Sequence, residues 1–226
     1  MILTIIIPAY NERKRLKKSL PIIIDYLKSI NCTDYEIIVV DDGSTDTTRE
    51  IAIEYNCILN RERGNIGKGY SVKEGVEMAQ GEYILFTDAD LSTPITYLGE
   101  FIKLIPQYDI VIASRAMKAS IVKTPFIKEL MGRLSNFAIS SVVKGIYDTQ
   151  CGFKLFKGDV AKKIFKKVTI EKWGFDFEVL HIAQVLEYKI KEEPVKWTNA
   201  PGSKVKISDY PETLMDLMKI KRNKYD

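Results

Sequence analysis

The sequence predicts an α/β fold, a mostly parallel central sheet with helices on both faces. Three observations predict it. Short apolar runs recur through the first 115 residues: Thr4 to Ile7, Tyr35 to Val40, Cys57 to Asn60, Tyr83 to Thr87 and Asp109 to Ser114. They have the length and residue types of buried strands. Stretches with apolar residues at helical spacing separate them, as in a βαβ pattern. Charged residues close three of the runs, Asp41 with Asp42, Asp88 with Asp90, and Arg115. Open α/β sheets bind ligands in the crevice beyond their strand ends, so this clustering marks a candidate site.

At 226 residues the chain suits one domain of generous size. Its 46% hydrophobic and 28% charged content is ordinary for a globular protein. No apolar run approaches the roughly 18 to 20 residues needed to span a bilayer. The opening MILTIIIPAY lacks the basic flank and small-residue cleavage site of a secretory leader, so it reads as a first strand and points to the cytoplasm. Cys32, Cys57 and Cys151, odd in number and widely spaced, argue against both a disulfide framework and a zinc site. The net charge of +4 is uneven: Arg115 to Lys172 holds 13 Lys or Arg against 4 Asp or Glu. A basic segment beside an acidic motif suggests an anionic partner, phosphate or a membrane surface. Lys162, Lys163, Lys166 and Lys167, at helical spacing, read as one solvated face.

In order along the chain, Pro8 stops the first strand and the loop AYNE follows. Leu16, Leu20, Ile23, Ile24, Leu27 and Ile30 outline a helix, with Pro21 at its start or at a kink. The second strand leads through Asp41, Asp42 and the turn GST to Asp46, which can cap a helix reaching about Tyr55. In RGNIGKGYSVKEGVEMAQG three glycines open a helix whose N-terminus can present backbone N–H groups and Lys68 to phosphates. The pattern matches neither the P-loop nor the dinucleotide fingerprint. YILFTDADLST then ends a strand in two carboxylates. In extended backbone Asp88 and Asp90 point the same way, and such hard oxygen ligands suit Mg2+ or Mn2+. The alternative is a solvated turn before an Asp-capped helix running from Pro94 to about Ile105.

The second half is less regular. Ile121 to Gly145 is amphipathic, with Phe126, Leu130, Leu134, Phe137, Ile139, Val142 and Val143 among Lys123, Lys128 and Arg133. It reads as a core helix or as one lying on a membrane. After YDTQCGFKLF comes a lysine-rich helix to Phe165, then a helix from Trp173 to Tyr188 with Asp176 and Glu178 near its start. His181 reads as a packed core residue. Lys189 to Trp197 reads as a last strand, and Leu214 to about Ile220 as a closing amphipathic helix.

IPAYNE, VVDDGSTD, RGNIGKGYSVKEG, TDADLST and ASR, in that order, resemble the nucleotide-sugar half of a family 2 glycosyltransferase with the GT-A fold, whose central sheet is Rossmann-like. DTQCGFKLF at Asp148 to Phe156, WGFDFEVL at Trp173 to Leu180 and PVKWTNAPGSK at Pro194 to Lys204 resemble one branch more narrowly. That branch is the dolichyl-phosphate β-glucosyltransferases, relatives of the dolichyl-phosphate mannose synthases. The resemblance covers residues 2 to 222. It implies a single GT-A catalytic domain over residues 1–226, with a nucleotide-sugar half at 1–115 and an acceptor half at 116–226.

The implied reaction is metal-dependent, inverting transfer of glucose from UDP-glucose to a polyprenyl (dolichyl) phosphate. Residue by residue, Pro8, Ala9, Tyr10 and Glu12 match the loop around the base, and Asp41 and Asp42 match acids that hold the uridine. Asp88 and Asp90 match the metal motif, where Mg2+ or Mn2+ bridges the diphosphate. Arg115, Arg133 and Lys204 match basic positions that contact the acceptor phosphate or donor diphosphate, and Lys68 joins the nucleotide-sugar set. Asp176 is the candidate base if one exists, or else positions the acceptor site. The expected partners are the nucleotide sugar, the lipid phosphate and a peripheral contact with the cytoplasmic face of a membrane, with no nucleic acid.

The chain departs from the pattern in two places. Ser92 stands where mannose synthases often carry Gln two residues after the last metal aspartate. The chain begins directly at its first strand, whereas eukaryotic members of the branch usually carry an N-terminal anchor, so membrane access is expected through the amphipathic segment or a partner. The rival readings are a GDP-mannose-dependent mannose synthase, a sugar-1-phosphate nucleotidylyltransferase, and a non-catalytic binding module for a nucleotide sugar or lipid phosphate. A nucleotidylyltransferase would open with a GxGxR loop, and AYNER lacks it.

Overall fold

A computed structural model describes residues 2–61, 64–123, 138–200 and 210–225. In chain order the elements are β1 (Leu3–Ala9), α1 (Arg13–Ser29), β2 (Tyr35–Asp41), α2 (Thr48–Glu54), β3 (Ile58–Arg61), α3 (Lys68–Met78), β4 (Tyr83–Thr87), α4 (Tyr97–Leu104) and β5 (Ile110–Ser114). They continue with β6 (Ile121–Lys123), β7 (Phe153–Lys157), α5 (Gly158–Lys167), α6 (Phe175–Val185), β8 (Ile190–Pro194), β9 (Lys196–Thr198) and α7 (Tyr210–Arg222). Among the described residues seven strands form one sheet in the order β3-β2-β1-β4-β7-β5-β8, and β6 pairs with β9 in a small second sheet. All pairings are parallel except those of β7, which runs antiparallel between β4 and β5.

Period-2 alternation explains why the strands read as continuous apolar runs: both faces of the sheet are covered. Ile6, Ile38, Val40, Ile84, Phe86, Ile110, Ile112 and Phe156 point into one layer, packed with α3, α5, α6 and α7. Leu3, Ile5, Ile7, Val39, Leu85, Val111, Phe153 and Leu155 point into the other, packed with α1, α2 and α4. In α5 the same logic works at helical spacing. Val160, Ala161, Ile164 and Phe165 are buried, while Lys162, Lys163 and Lys166 are exposed as expected and Lys167 is half-buried.

Several boundaries differ from the sequence expectation. Pro8 does not stop β1, which runs to Ala9. The ladder with β4 ends at the Ile6–Phe86 pair, so Pro8 pairs on the β2 side only and its missing N–H breaks no second ladder. Pro21 lies inside α1, which starts at Arg13. The helix keeps Pro21 although a proline cannot donate to the carbonyl of Lys17, because Leu16, Leu20, Ile23 and Leu27 bury its core face. Asp46 is not the N-cap of the second helix, which is Thr47; it stands one residue earlier, and its carboxylate accepts the N–H of Thr48 at 3.0 Å. The expected last strand divides into β8 and β9, in different sheets. Ile121 opens a strand rather than a helix, pairing with Lys196. The rest of that amphipathic segment through Phe137, with Arg133, lies outside the described residues, while Ile139, Val142 and Val143 are buried in the core. His181 packs as expected: it is 5.6 Å edge-on from Tyr225, and its Nδ1 is 3.0 Å from the carbonyl of Val142. No described helix is long and apolar enough to cross a membrane.

Candidate active site

The carboxyl ends of β1, β2, β4 and β5 meet the amino end of antiparallel β7, and the sequence clusters its charges there. The loops after β1 and β2 are stapled together. The N–H of Asp42 donates to the Ala9 carbonyl at 2.8 Å, and the N–H of Asn11 donates to Ser44 Oγ at 2.8 Å. In return, Asn11 Oδ1 accepts the N–H groups of Thr45 and Asp46. Asn11 holds φ +52° to do so, a conformation that asparagine tolerates better than most residues. Glu12 is buried, pairs with Arg15 at 2.7 Å, and its N–H donates to Thr48 Oγ1 at 2.8 Å. Pro8, Ala9, Tyr10 and Glu12 are thus fixed beside Asp41 and Asp42.

Asp41 and Asp42 are both buried. Asp41 accepts the N–H of Ser44 at 2.9 Å. Asp42 reaches across to the glycine-rich turn and accepts the N–H groups of Ile66 at 2.8 Å and Gly67 at 3.0 Å. Those two donors, which the sequence offered to a phosphate, are therefore held by a carboxylate, and the cation left to face the crevice is Lys68. Gly67 sits at φ +145°, and a Cβ there would lie 2.4 Å from the Glu171 carbonyl oxygen, so the turn closes only with glycine.

Lys68 Nζ is 2.7 Å from Asp88 Oδ1. The aromatic rings of Phe86, Trp173 and Phe175 have their centroids 5.0, 5.8 and 5.9 Å from the same nitrogen. Burial alone pushes the ammonium's pKa down; Asp88, Asp176 and Asp90 together raise it above the usual lysine value. The N–H of Asp88 donates to the Gly152 carbonyl at 3.1 Å. A Cβ on residue 152 would fall 2.0 Å from Asp88 Oδ2, so Gly152 makes the room in which this carboxylate sits.

The strand ends at Thr87, and Ala89 and Asp90 lie in a turn rather than in extended backbone. The turn is closed by Leu91 at φ +48° and by Asp90 Oδ1, which accepts the N–H of Ser92 at 2.9 Å. Two-residue alternation therefore does not set the direction of Asp90. No group of three His, Cys, Asp or Glu is placed to hold a metal among the described residues. Two carboxylates nevertheless fit Mg2+ or Mn2+, because Mg2+ is commonly held by one or two carboxylates with substrate phosphates completing the shell.

Two further ion pairs flank this cluster, one buried and one between a half-buried arginine and a buried aspartate. Lys154 in β7 is 1% exposed; its Nζ donates to the Cys151 carbonyl at 2.7 Å and forms an ion pair with Asp176, itself 3% exposed. The Phe86 ring is near both lysines, its centroid 5.7 Å from Lys154 Nζ and 5.0 Å from Lys68 Nζ. Arg115, just beyond β5, grips Asp148 with Nε at 2.7 Å, a terminal nitrogen at 2.9 Å and its own N–H at 2.8 Å. Burial works against the Asp148 charge, yet Arg115 holds the carboxyl below its usual range. The guanidinium also lies 5.4 Å from the Trp197 ring. Burial lifts the Cys151 thiol to about 11, which removes it as a nucleophile near neutral pH. Arg133 and Lys204 lie outside the described residues.

The rim beside Trp173 is braced by α7, through Lys172–Glu212 at 2.9 Å and through Asp216, which abuts Gly174. Burial, with Glu212 adding, lifts Asp216 from 3.8 to about 6. The folded state binds this proton more tightly than the unfolded chain, so the associated stability is complete below pH 3.8 and is lost as pH rises through about 6. Asp216 is half-exposed and partly screened by solvent, so Asp216→Asn should stabilise the protein by only about 1 kcal/mol above pH 7 and by nothing in acid. Thermal denaturation against pH checks this; an equal gain at both ends would rule it out.

The sheet is parallel except for one inserted antiparallel strand, and it carries a lysine-bearing acidic cluster at its carboxyl edge. Residues 4–165 match the model of glycosyl transferase family 2, and the chain belongs to that family. It is 40% identical over 233 residues to a dolichyl-phosphate beta-glucosyltransferase of Trichomonas vaginalis, covering 96% of this chain and 72% of that protein. It is 37% identical over 224 residues to the human dolichyl-phosphate beta-glucosyltransferase, covering 90% of this chain and 69% of the relative. In fold it is similar to glucosyl-3-phosphoglycerate synthase from Mycobacterium tuberculosis in complex with phosphoglyceric acid, with a TM-score of 0.72 at 16% identity, covering 97% of this chain and 79% of that one. The same synthase in complex with Mn2+ and UDP-glucose gives 0.69, again at 16% identity, covering 97% and 77%.

Proposed function

We propose that this glycosyltransferase moves glucose from UDP-glucose to a polyprenyl (dolichyl) phosphate with inversion, at the cytoplasmic face of a membrane, using residues 1–226 as one catalytic domain. The observation that carries the reading is the Lys68–Asp88 pair seated against Gly152 at the end of β4, with Asp90 in the adjoining turn. The names of the relatives support the acceptor and the sugar. The Mn2+ and UDP-glucose complex of the structural neighbour supports the donor and the ion.

On this reading Pro8, Ala9, Tyr10 and Glu12 shape the base pocket, while Asp41 and Asp42 hold the uridine. Asp88 and Asp90 hold Mg2+ or Mn2+, which when bound supplies Lewis-acid stabilisation of the departing UDP. Lys68, poised on Asp88, places a cation where the diphosphate gathers charge. The acceptor phosphate is largely a dianion near neutral pH, so its oxygen attacks the anomeric carbon while the bond to the diphosphate breaks, and no proton has to be removed. Arg115 with Arg133 orients that acceptor, and Lys204 contacts the donor diphosphate. Asp176, buried against Lys154, positions the wall carrying Phe86 and Phe175 rather than acting as a base.

The test is mass spectrometry of products from purified protein, a short polyprenyl phosphate, Mg2+ or Mn2+, and UDP-glucose, UDP-GlcNAc and GDP-mannose in competition. A hexosyl lipid with released UDP is expected. GDP release would move the protein to the mannose synthases, and no lipid product with any donor would remove the acceptor assignment.

A further inference from the structure

Helix α7 exposes Leu214, Met215 and Met218 to 56%, 66% and 54%. Met218 lies four residues from Leu214 and three from Met215, the spacings of neighbours on a helix surface, so the three form a strip. The opposite side is anchored in the protein, where Leu217 and Ile220 are 6% and 0% exposed. The charges on α7 are sorted as well. Its acids turn toward the protein, Glu212 to Lys172 at 2.9 Å and Asp216 onto Gly174. Its outward positions after the strip are basic: Lys221 and Arg222 are exposed, and Lys224 follows just beyond the helix, while Lys219 turns back to donate to the Thr169 carbonyl at 3.2 Å. An exposed apolar strip bordered by cations, on a helix whose acids face inward, is complementary to an anionic lipid surface. A protein partner of ordinary composition would not require this sorting.

The position of α7 agrees with that. The residues it braces, Lys172 and Gly174, flank Trp173, whose ring lies 5.8 Å from Lys68 Nζ at the candidate active site. We propose that α7 seats the protein on an anionic bilayer, with Leu214, Met215 and Met218 at the headgroup–acyl boundary and Lys221, Arg222 and Lys224 on lipid phosphates. The site rim is thereby held at the membrane surface. This rests on the lipid-phosphate reading only for its purpose, and the test separates the two.

Co-sedimentation of the full chain with vesicles that contain no polyprenyl phosphate, in the absence of donor, reads docking alone. Vesicles of phosphatidylcholine with about a third phosphatidylserine should bind the protein about tenfold better than phosphatidylcholine alone. Leu214→Ser/Met215→Ser/Met218→Ser should lower binding about tenfold, with an unchanged melting temperature because the three side chains are exposed. Lys221→Glu/Arg222→Glu, which leaves the apolar strip intact, should remove the preference for phosphatidylserine. Absence of vesicle binding by the wild type, or equal binding by the triple variant, would overturn the proposal. So would light scattering that shows a wild-type dimer dissociated by the triple variant, because the strip would then be covered by a second copy. Turnover with a detergent-soluble acceptor should be untouched by the triple variant, so loss of wild-type turnover there would count against the acceptor and not against docking.

Discussion

Asp90→Asn should reduce metal-dependent turnover by about a hundredfold or more, as the loss of one charged group from the proposed metal site would. The fold should survive. The Asp90 carboxylate accepts the Ser92 N–H at Oδ1, and the amide oxygen of asparagine accepts the same N–H. The change therefore removes negative charge while leaving the turn after β4 closed. Steady-state rates at saturating Mn2+, with a melting curve on the same sample, measure both halves of the expectation. A variant that keeps a near-normal rate would take Asp90 out of the metal site.

The largest stability effect is expected at Lys154. Its ammonium and the Asp176 carboxylate are both almost completely buried. Removing one partner of such a pair leaves an uncompensated charge, at a cost of about 3 to 5 kcal/mol. Lys154→Met should lower stability by that amount in urea denaturation and reduce turnover as well. Lys154→Met/Asp176→Asn should recover most of the stability, since a neutral pair in a packed site does not carry the desolvation penalty of a lone charge. A cost near zero for the single change would mean that Lys68, whose charge also feels Asp176, already balances it.

The sequence carries no local sign that Lys154 is buried. In FKLFK a lone lysine between apolar residues looks like the solvent side of an alternating strand. Both faces of this sheet are covered, so the Lys154 side, shared with Phe156, is interior. The direction of β7 was equally hidden, because period-2 alternation is the same for a parallel and an antiparallel strand. Its insertion between β4 and β5 depends on pairing across nearly seventy residues of separation in the first case, Thr87 with Phe153. The strands on the amino side were legible because burial on both faces leaves almost unbroken apolar runs, as in Ile37 to Val40.

The site was legible in part for a similar local reason. Asp41, Asp42, Asp88, Asp90 and Arg115 all lie where strands stop, and a parallel sheet gathers those ends at one edge. What could not be read is which group each charge faces. Asp42 answers the Ile66 and Gly67 N–H groups, Asp88 answers Lys68, and Arg115 answers Asp148, all through contacts between distant parts of the chain. Asn11 and Ser44, which lock the two loops, carry no periodic signal, although an asparagine after Tyr10 in a sharp loop is a position where positive φ could have been expected.

The central claim is that the acidic edge around Asp88 and Asp90 works with a divalent ion to move a sugar onto a lipid phosphate. Its most direct test is the lipid-product assay with UDP-glucose before chelation, after chelation, and after Mn2+ or Mg2+ is restored. The account predicts a hexosyl lipid that disappears with chelation and returns with the ion. Undiminished product in the presence of chelator would contradict it.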